Sequence, residues 1–316
     1  MCTVVAMDAG CVRGAALRPG DRVSLVSPAS YPDRQWLQTS VEVLESWGFH
    51  VDVGRHATDR WGPMAGPDED RVADMNNAIR DPEIRAIVAV TGGMGSYRIA
   101  DRLDFSALAA DPKPIVGFSD ITNIHVAAWK QCRLATIHGC LAGARATASV
   151  RSLLFNDEPL AISRNPSAVS AAIEVSGHAR GPLLGGNLRE LAGWVGAGLP
   201  SLDGAILLIE DLRHVGIGQV DRNITQLRRS GALDGVAGIA LGLFDEFAGY
   251  TDRGWSIVDV LTERLTDLGI PILGGLDIGH GGTGNDGGPD QYGVTLGATA
   301  DLDVRAATLT VGPCVR

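Results

Sequence analysis

The sequence predicts an α/β protein of two domains, the first built on parallel βαβ units. Three observations carry this reading. The chain has 316 residues, where one domain takes roughly 100–200. Its first half alternates short apolar, β-branched runs with helical patterns, the order that lays a helix across each pair of parallel strands. Near Arg151 the texture changes to short strands broken by glycine and a tail of period two.

After an irregular start, DRVSLVSPAS (21–30) reads as a strand ending in a Pro-Ala-Ser turn. Helical spacing over 36–48 precedes a strand, FHVDVG (49–54), and a polar loop over 59–70. A helix is expected over 71–81, then the run EIRAIVAVTGG (83–93), stopped by two glycines. PIVGF (114–118) follows the breaker DPKP and leads into a helix at 122–132. Between Arg151 and Pro166 no period is sustained, which divides the chain into domains over 1–155 and 166–316. The second part holds strands in AAIEVSG, GAILLIE and VAGIALGLF and helices at 187–196, 219–231 and 256–269. Its tail, 292–312, alternates like a hairpin or meander.

Composition excludes several functions. Acidic groups number 37 against 27 basic ones, a formal charge of −10, which argues against nucleic-acid or anionic-membrane partners, since phosphate contacts need clustered Lys and Arg. No apolar run approaches the ~18 residues of a spanning helix. The N-terminal stretch carries Asp8 and no basic segment, so no secretory signal is expected. Five scattered cysteines without a C-x-x-C pair favour reduced thiols in a cytoplasmic protein. H-E-x-x-H is absent too, so neither metal nor cofactor is expected. The 41 glycines, about 13% against a usual ~7%, point to many tight turns and close backbone approaches.

The chemistry concentrates at three places. In PIVGFSDIT, Ser119 sits where a buried strand meets a helix, the position of a nucleophile elbow above the sheet edge. Helix-end N–H groups there can donate to an oxyanion; the plainer reading makes Ser119 or Asp120 a helix cap. A serine nucleophile needs a base and an orienting carboxylate. His280 lies in the glycine-rich LDIGHGGTG, just after a strand, where doubly wound folds place their chemistry. Glu210 ends an apolar strand, an expensive position unless it is partnered. Strand alternation would send the adjacent Asp211 to the other side, and Arg213 or a loop amide is the plain partner for Glu210. His125 is expected to point away from Ser119 and to pack, and His138 to lie near the first sheet. His50, His56, His178 and His214 carry no special signal. VTGGMGSYR lacks the dinucleotide and P-loop spacings, yet its backbone N–H groups are plausible oxyanion donors.

Taken in order, LRPGDRVSLVSPAS, VTGGMGSYRIADRLDF, IVGFSDITNIHVAAW with TIHG, LLGGNLREL, LLIEDLRHVGIGQVDRNITQLRRSG and LDIGHG resemble the LD-carboxypeptidase family (peptidase family S66), which includes microcin C immunity-type hydrolases. The resemblance implies an N-terminal parallel-sheet, flavodoxin-like domain, a C-terminal β-rich α/β domain, and a homodimer. It also implies a metal-independent serine carboxypeptidase with Ser119, His280 and Glu210 as its triad. The backbone N–H groups of Asp120 and Gly93 (taken over Gly92) are the implied oxyanion donors. The implied substrate is a small peptide, a murein tetrapeptide cut to tripeptide and D-alanine; an amidase acting on a peptide antibiotic or aminoacyl-nucleotide is the second reading, and a non-catalytic peptide-binding protein the third. Thr91 and Met94 stand where muropeptide-cutting members often carry a basic and an aromatic residue, and Cys140 where they often carry proline. S-D-I-T with I-H favours the carboxypeptidase branch.

Overall fold

The computed structural model describes residues 10–212, 216–244, 247, 250, 253–281 and 291–316. Five parallel strands make up all but one of the six strands of the first sheet: β1 (Arg22–Val26), β2 (His50–Val53), β3 (Ile84–Ala89), β4 (Ile115–Gly117) and β5 (Thr136–His138). Their order, β2-β1-β3-β4-β5, is the flavodoxin-like one, whose chemistry sits beyond the carboxyl ends of the strands. Helices α1 (Arg34–Ser46), α2 (Asp68–Arg80), α3 (Phe105–Ala110), α4 (Thr122–Cys132) and α5 (Ala144–Phe155) accompany them. Val23, Val88 and Val116 join one apolar cluster and Val26, Ile87 and Ile115 another. Burial on both faces explains why these strands read as continuous apolar runs rather than alternating ones.

The helix α5 went unrecognised in the sequence. Its buried Ala146, Val150, Leu153 and Leu154 do line one face, but the alanines, serine and threonine between them blur the period.

The second sheet has eight strands: β6 (Leu160–Ser163), β7 (Glu174–Val175), β8 (His178–Asn187), β9 (Ile206–Glu210), β10 (Gly238–Leu241), β11 (Ile272–Leu273), β13 (Thr299–Asp303) and β14 (Thr308–Val311). Strands β8, β9, β10 and β11 run parallel at its centre, and the remaining pairs are antiparallel. Helices α6 (Leu188–Gly193), α7 (Ile217–Arg229) and α8 (Ile257–Leu265) complete this half. The architecture is therefore the α/β fold expected, with a parallel first sheet and a β-rich second half.

Ten-residue β8 hid behind its own glycines. A Cβ on Gly185 would run into the carbonyl oxygen of Leu208 on β9, so the residues that mask the strand signal are those that let it pack closely. The tail divides: β13 and β14 form the hairpin, while β12 (Val294–Leu296) leaves to pair antiparallel with β5. The segment that follows the His280 turn thus returns to the first sheet.

Candidate active site

Ser119 follows β4 after one extended residue, Phe118, and opens a 3₁₀ turn that runs straight into α4. Its φ is +63°, a left-handed conformation that costs a non-glycine residue about 1–2 kcal/mol. Such strain persists only where the surroundings impose it. Here they do: a Cβ on Gly117 would meet Ile121, and a Cβ on Gly92 would lie 2.7 Å from both the Phe118 carbonyl and Ser119 Cβ. Neither Ser119 nor Asp120 caps α4, whose N-cap is Ile121 without a side-chain bond. The capping reading is thereby overturned. Asp120 turns inward: its carboxylate accepts from Ser96 N at 2.7 Å, and its carbonyl accepts from Ser96 Oγ and from Asn123 Nδ2.

The GGMG loop is held against this turn from beneath. Gly93 has φ +102° and packs on Ser30, whose hydroxyl accepts from Met94 N at 3.1 Å. Arg71, 1% exposed, donates to Gly95 O at 2.9 Å and Pro28 O at 2.6 Å and pairs with Asp68. The sequence reading placed Arg71 only as a helix residue. A buried guanidinium must spend its donors on neighbouring acceptors, and here they tie two loops at the sheet edge together.

Glu210 closes β9 with no exposed surface. Its Oε2 accepts from both the backbone N–H of His280 at 2.8 Å and the ring Nδ1–H at 2.7 Å. That sets the tautomer and makes Nε2 the acceptor of the ring. Gly279 has φ +114°, and a Cβ there would stand 2.5 Å from Glu210 Cβ; only glycine lets this turn reach the carboxylate. Gly279 N donates to Gln291 Oε1 at 3.0 Å, and Gln291 Nε2 donates to Cys140 Sγ at 3.2 Å. Cys140 thus serves as an acceptor that braces the turn.

Burial opposes charge on both partners, yet the pair prevails. Glu210 stands below its ordinary pKa because the His280 charge and hydrogen bonds outweigh desolvation. His280 stands above its ordinary value: desolvation lowers it, and the Glu210 charge and bond, with Asp211's charge, raise it further. Asp211 did not go to the opposite side from Glu210. Strand β9 ends at Glu210, so alternation lapses, and Asn187 Nδ2 donates to both carboxylates at 3.3 Å. Burial, then the Glu210 charge, push Asp211 up to about 7.

The His280 ring lies against Phe118, centroids 4.3 Å apart, which brings it beside the Ser119 turn. Among the described residues no hydrogen bond joins the Ser119 hydroxyl to His280; such bonds commonly tighten only with substrate. His138 follows Ile137 on β5 and also lies near Phe118, ring centroids 5.0 Å apart, with its Nε2 3.7 Å from Glu210 Oε1. Its burial pushes it down to about 4 and keeps it neutral. The sequence offered one signal for it, a polar residue at the carboxyl end of a buried strand. His125 is a core residue as expected, 2% exposed, 3.1 Å from Gly117 O. Arg213, His214 and Gly282 lie outside the described residues. Among the described residues one group has metal-binding atoms within 4.8 Å of each other: His56 and Asp59 from the loop after β2, and Asp70 from the first turn of α2.

Alongside the Ser119 turn runs a groove of about 580 Å³, lined by Gly93, Met94, Tyr97, Asp120, Arg189 and Glu190 among others.

Two family profiles match the chain: the LD-carboxypeptidase N-terminal domain over residues 23–139 and the LD-carboxypeptidase C-terminal domain over 180–302. A Streptomyces coelicolor protein is 36% identical over 95% of this chain and 96% of its own. The murein tetrapeptide carboxypeptidase of Pseudomonas aeruginosa is 31% identical over 82% of this chain and 88% of its own. The crystal structure of a muramoyltetrapeptide carboxypeptidase from Oxalobacter formigenes superposes with a TM-score of 0.80 at 26% identity, covering 93% of this chain and all of that one (100%). With both profiles matched in order and a relative 36% identical over nearly its whole length, the chain belongs to the LD-carboxypeptidase family.

Proposed function

We propose that the protein is a metal-independent serine carboxypeptidase that hydrolyses an L,D-amide bond, converting a murein tetrapeptide to tripeptide and D-alanine. The observation that carries this reading is the left-handed Ser119 at a strand–helix turn, beside an imidazole whose Nδ1 is tied to buried Glu210. His280 Nε2 takes the hydroxyl proton as Ser119 attacks the carbonyl, and later returns it to the leaving amine. Glu210 holds the tautomer and offsets the imidazolium charge. The N–H groups of Asp120 and Gly93 receive the oxyanion; close packing of Gly92 on Ser119 supports their convergence. Water then frees the acyl-enzyme. The nucleophile comes from the domain over 1–155 and the acid and base from that over 166–316, with β12 lacing the second to the first. A cytoplasmic homodimer belongs to the same reading, on the resemblance to the family.

Incubation with murein tetrapeptide should release D-alanine; a folded protein that releases none sinks the substrate assignment. The second reading, an immunity-type amidase, draws on the microcin C7 self-immunity protein of Escherichia coli, 28% identical over 84% of this chain. Hydrolysis of an aminoacyl sulfamoyl adenosine, with the tetrapeptide untouched, would select it.

The base must be neutral to accept a proton. Because His280 titrates above its ordinary 6.5, kcat/KM should fall as pH drops through a midpoint higher than that value. A pH–rate profile of the free enzyme measures this limb, and a profile flat to well below it would remove His280 as base.

A further inference from the structure

We infer that Glu190 is a specificity-determining residue that binds a substrate ammonium group, so that the groove beside Ser119 favours amides carrying a free amine. The inference rests on the hydrolase reading above and adds to it what the substrate must present.

Glu190 sits in the first turn of α6 and lines the groove at a half-buried position. Among the described residues its one side-chain donor is neutral: Asn123 Nδ2 donates to its Oε2 at 2.8 Å. That amide cannot rotate away, because Trp194 Nε1 donates to Asn123 Oδ1 at 2.9 Å. Among the described residues no cation lies within ion-pair distance of Glu190. Arg189, its neighbour, is exposed, and Arg98 is spent on Asp68 at 2.9 Å. Burial, then the charge of Asp120, make the Glu190 carboxylate harder to ionise, and the Asn123 bond and the charge of Arg189 offset this only in part. A second acid, Asp120, borders the same groove, though its carboxylate is buried and already accepts from Ser96 N at 2.7 Å.

Carboxylates withdrawn from water are ordinarily paired with a cation. In this groove the network Trp194–Asn123–Glu190 holds a carboxylate in place and provides none. The open side of Glu190 faces a space large enough for a peptide side chain, beside the residue that attacks the amide. An ammonium entering there gains a charge-assisted bond and lowers the cost of two neighbouring acids. An anionic group at the same place meets both of them.

The test compares two substrate pairs, each with its amine free or N-acetylated: the murein tetrapeptide at its diamino-acid side chain, and an aminoacyl sulfamoyl adenosine at its α-amine. For whichever pair is hydrolysed, the native protein should favour the free amine in kcat/KM by about tenfold or more, the worth of one charged hydrogen bond. Glu190→Gln should bring that ratio to within about threefold, and Glu190→Asp should restore part of it. Equal rates on free and acetylated forms by the native protein overturn the inference without any variant. So does an unchanged ratio in a folded Glu190→Gln protein. If neither pair is hydrolysed, the hydrolase reading falls separately. Calorimetric affinities for the same four compounds then decide Glu190 by the same ratio.

Discussion

Ser119→Ala is expected to lower kcat by at least about 10⁴-fold, the scale on which a catalytic triad loses its nucleophile, while the chain still folds. Alanine keeps Cβ and inherits the same left-handed backbone, so its stability should match the native protein. Ser119→Gly separates the two roles of this position. It is equally without a nucleophile, but it relieves the φ of +63°. Relief of that conformation is worth about 1–2 kcal/mol, and the greater freedom of glycine in the unfolded chain takes back about 0.5–1 kcal/mol. The net is a protein about 0.5–1 kcal/mol more stable than native and inactive. Kinetics with tetrapeptide and urea unfolding of the three proteins check this. A Ser119→Ala protein retaining a tenth of its turnover would exclude the nucleophile role. A Ser119→Gly protein no more stable than Ser119→Ala would mean that the turn stores no strain.

That strain explains why parts of this protein were legible in the sequence and others were not. Strands of the first sheet announced themselves because both their faces are buried, so Val, Ile and Leu run together in RVSLV and IRAIVA. Ser119 and His280 stood out as candidates because each sits at a turn just after a strand, and glycines permit the close packing there: Gly92 against Ser119, and Gly279 against Glu210. The same device concealed β8, whose Gly185 and Gly186 look like a loop until the neighbouring β9 is in place. Residues acting through long-range contacts left no local trace. Arg71 lies 24 positions from Gly95, and Gln291 lies 151 positions from Cys140; periodicity cannot report such pairs. Asp211 misled for a related reason. Alternation holds only while a strand lasts, and β9 stops one residue earlier.

Glu210→Gln tests the charge of the carboxylate apart from its shape. A glutamine can keep its carbonyl oxygen where Oε2 now accepts from His280 N and Nδ1. Its amide would then take the place of Oε1, 3.7 Å from His138 Nε2. His138 is neutral at this depth, held down to about 4 by burial, so its Nε2 can accept from that amide. Asn187 loses one acceptor but keeps Asp211 at 3.3 Å. The fold and the orientation of the imidazole should therefore survive, while the counter-charge for the imidazolium is gone. On the scale of losing the triad carboxylate, kcat should drop about 10³–10⁴-fold. The acid limb of the pH–rate profile must move as well. His280 is raised by the charge and hydrogen bond of Glu210 against a desolvation that lowers it; without the charge, desolvation prevails and the limb shifts toward lower pH. A variant as slow as expected but with its limb unmoved would mean that Glu210 only positions the ring. One with both rate and limb unchanged would remove Glu210 from the machinery altogether.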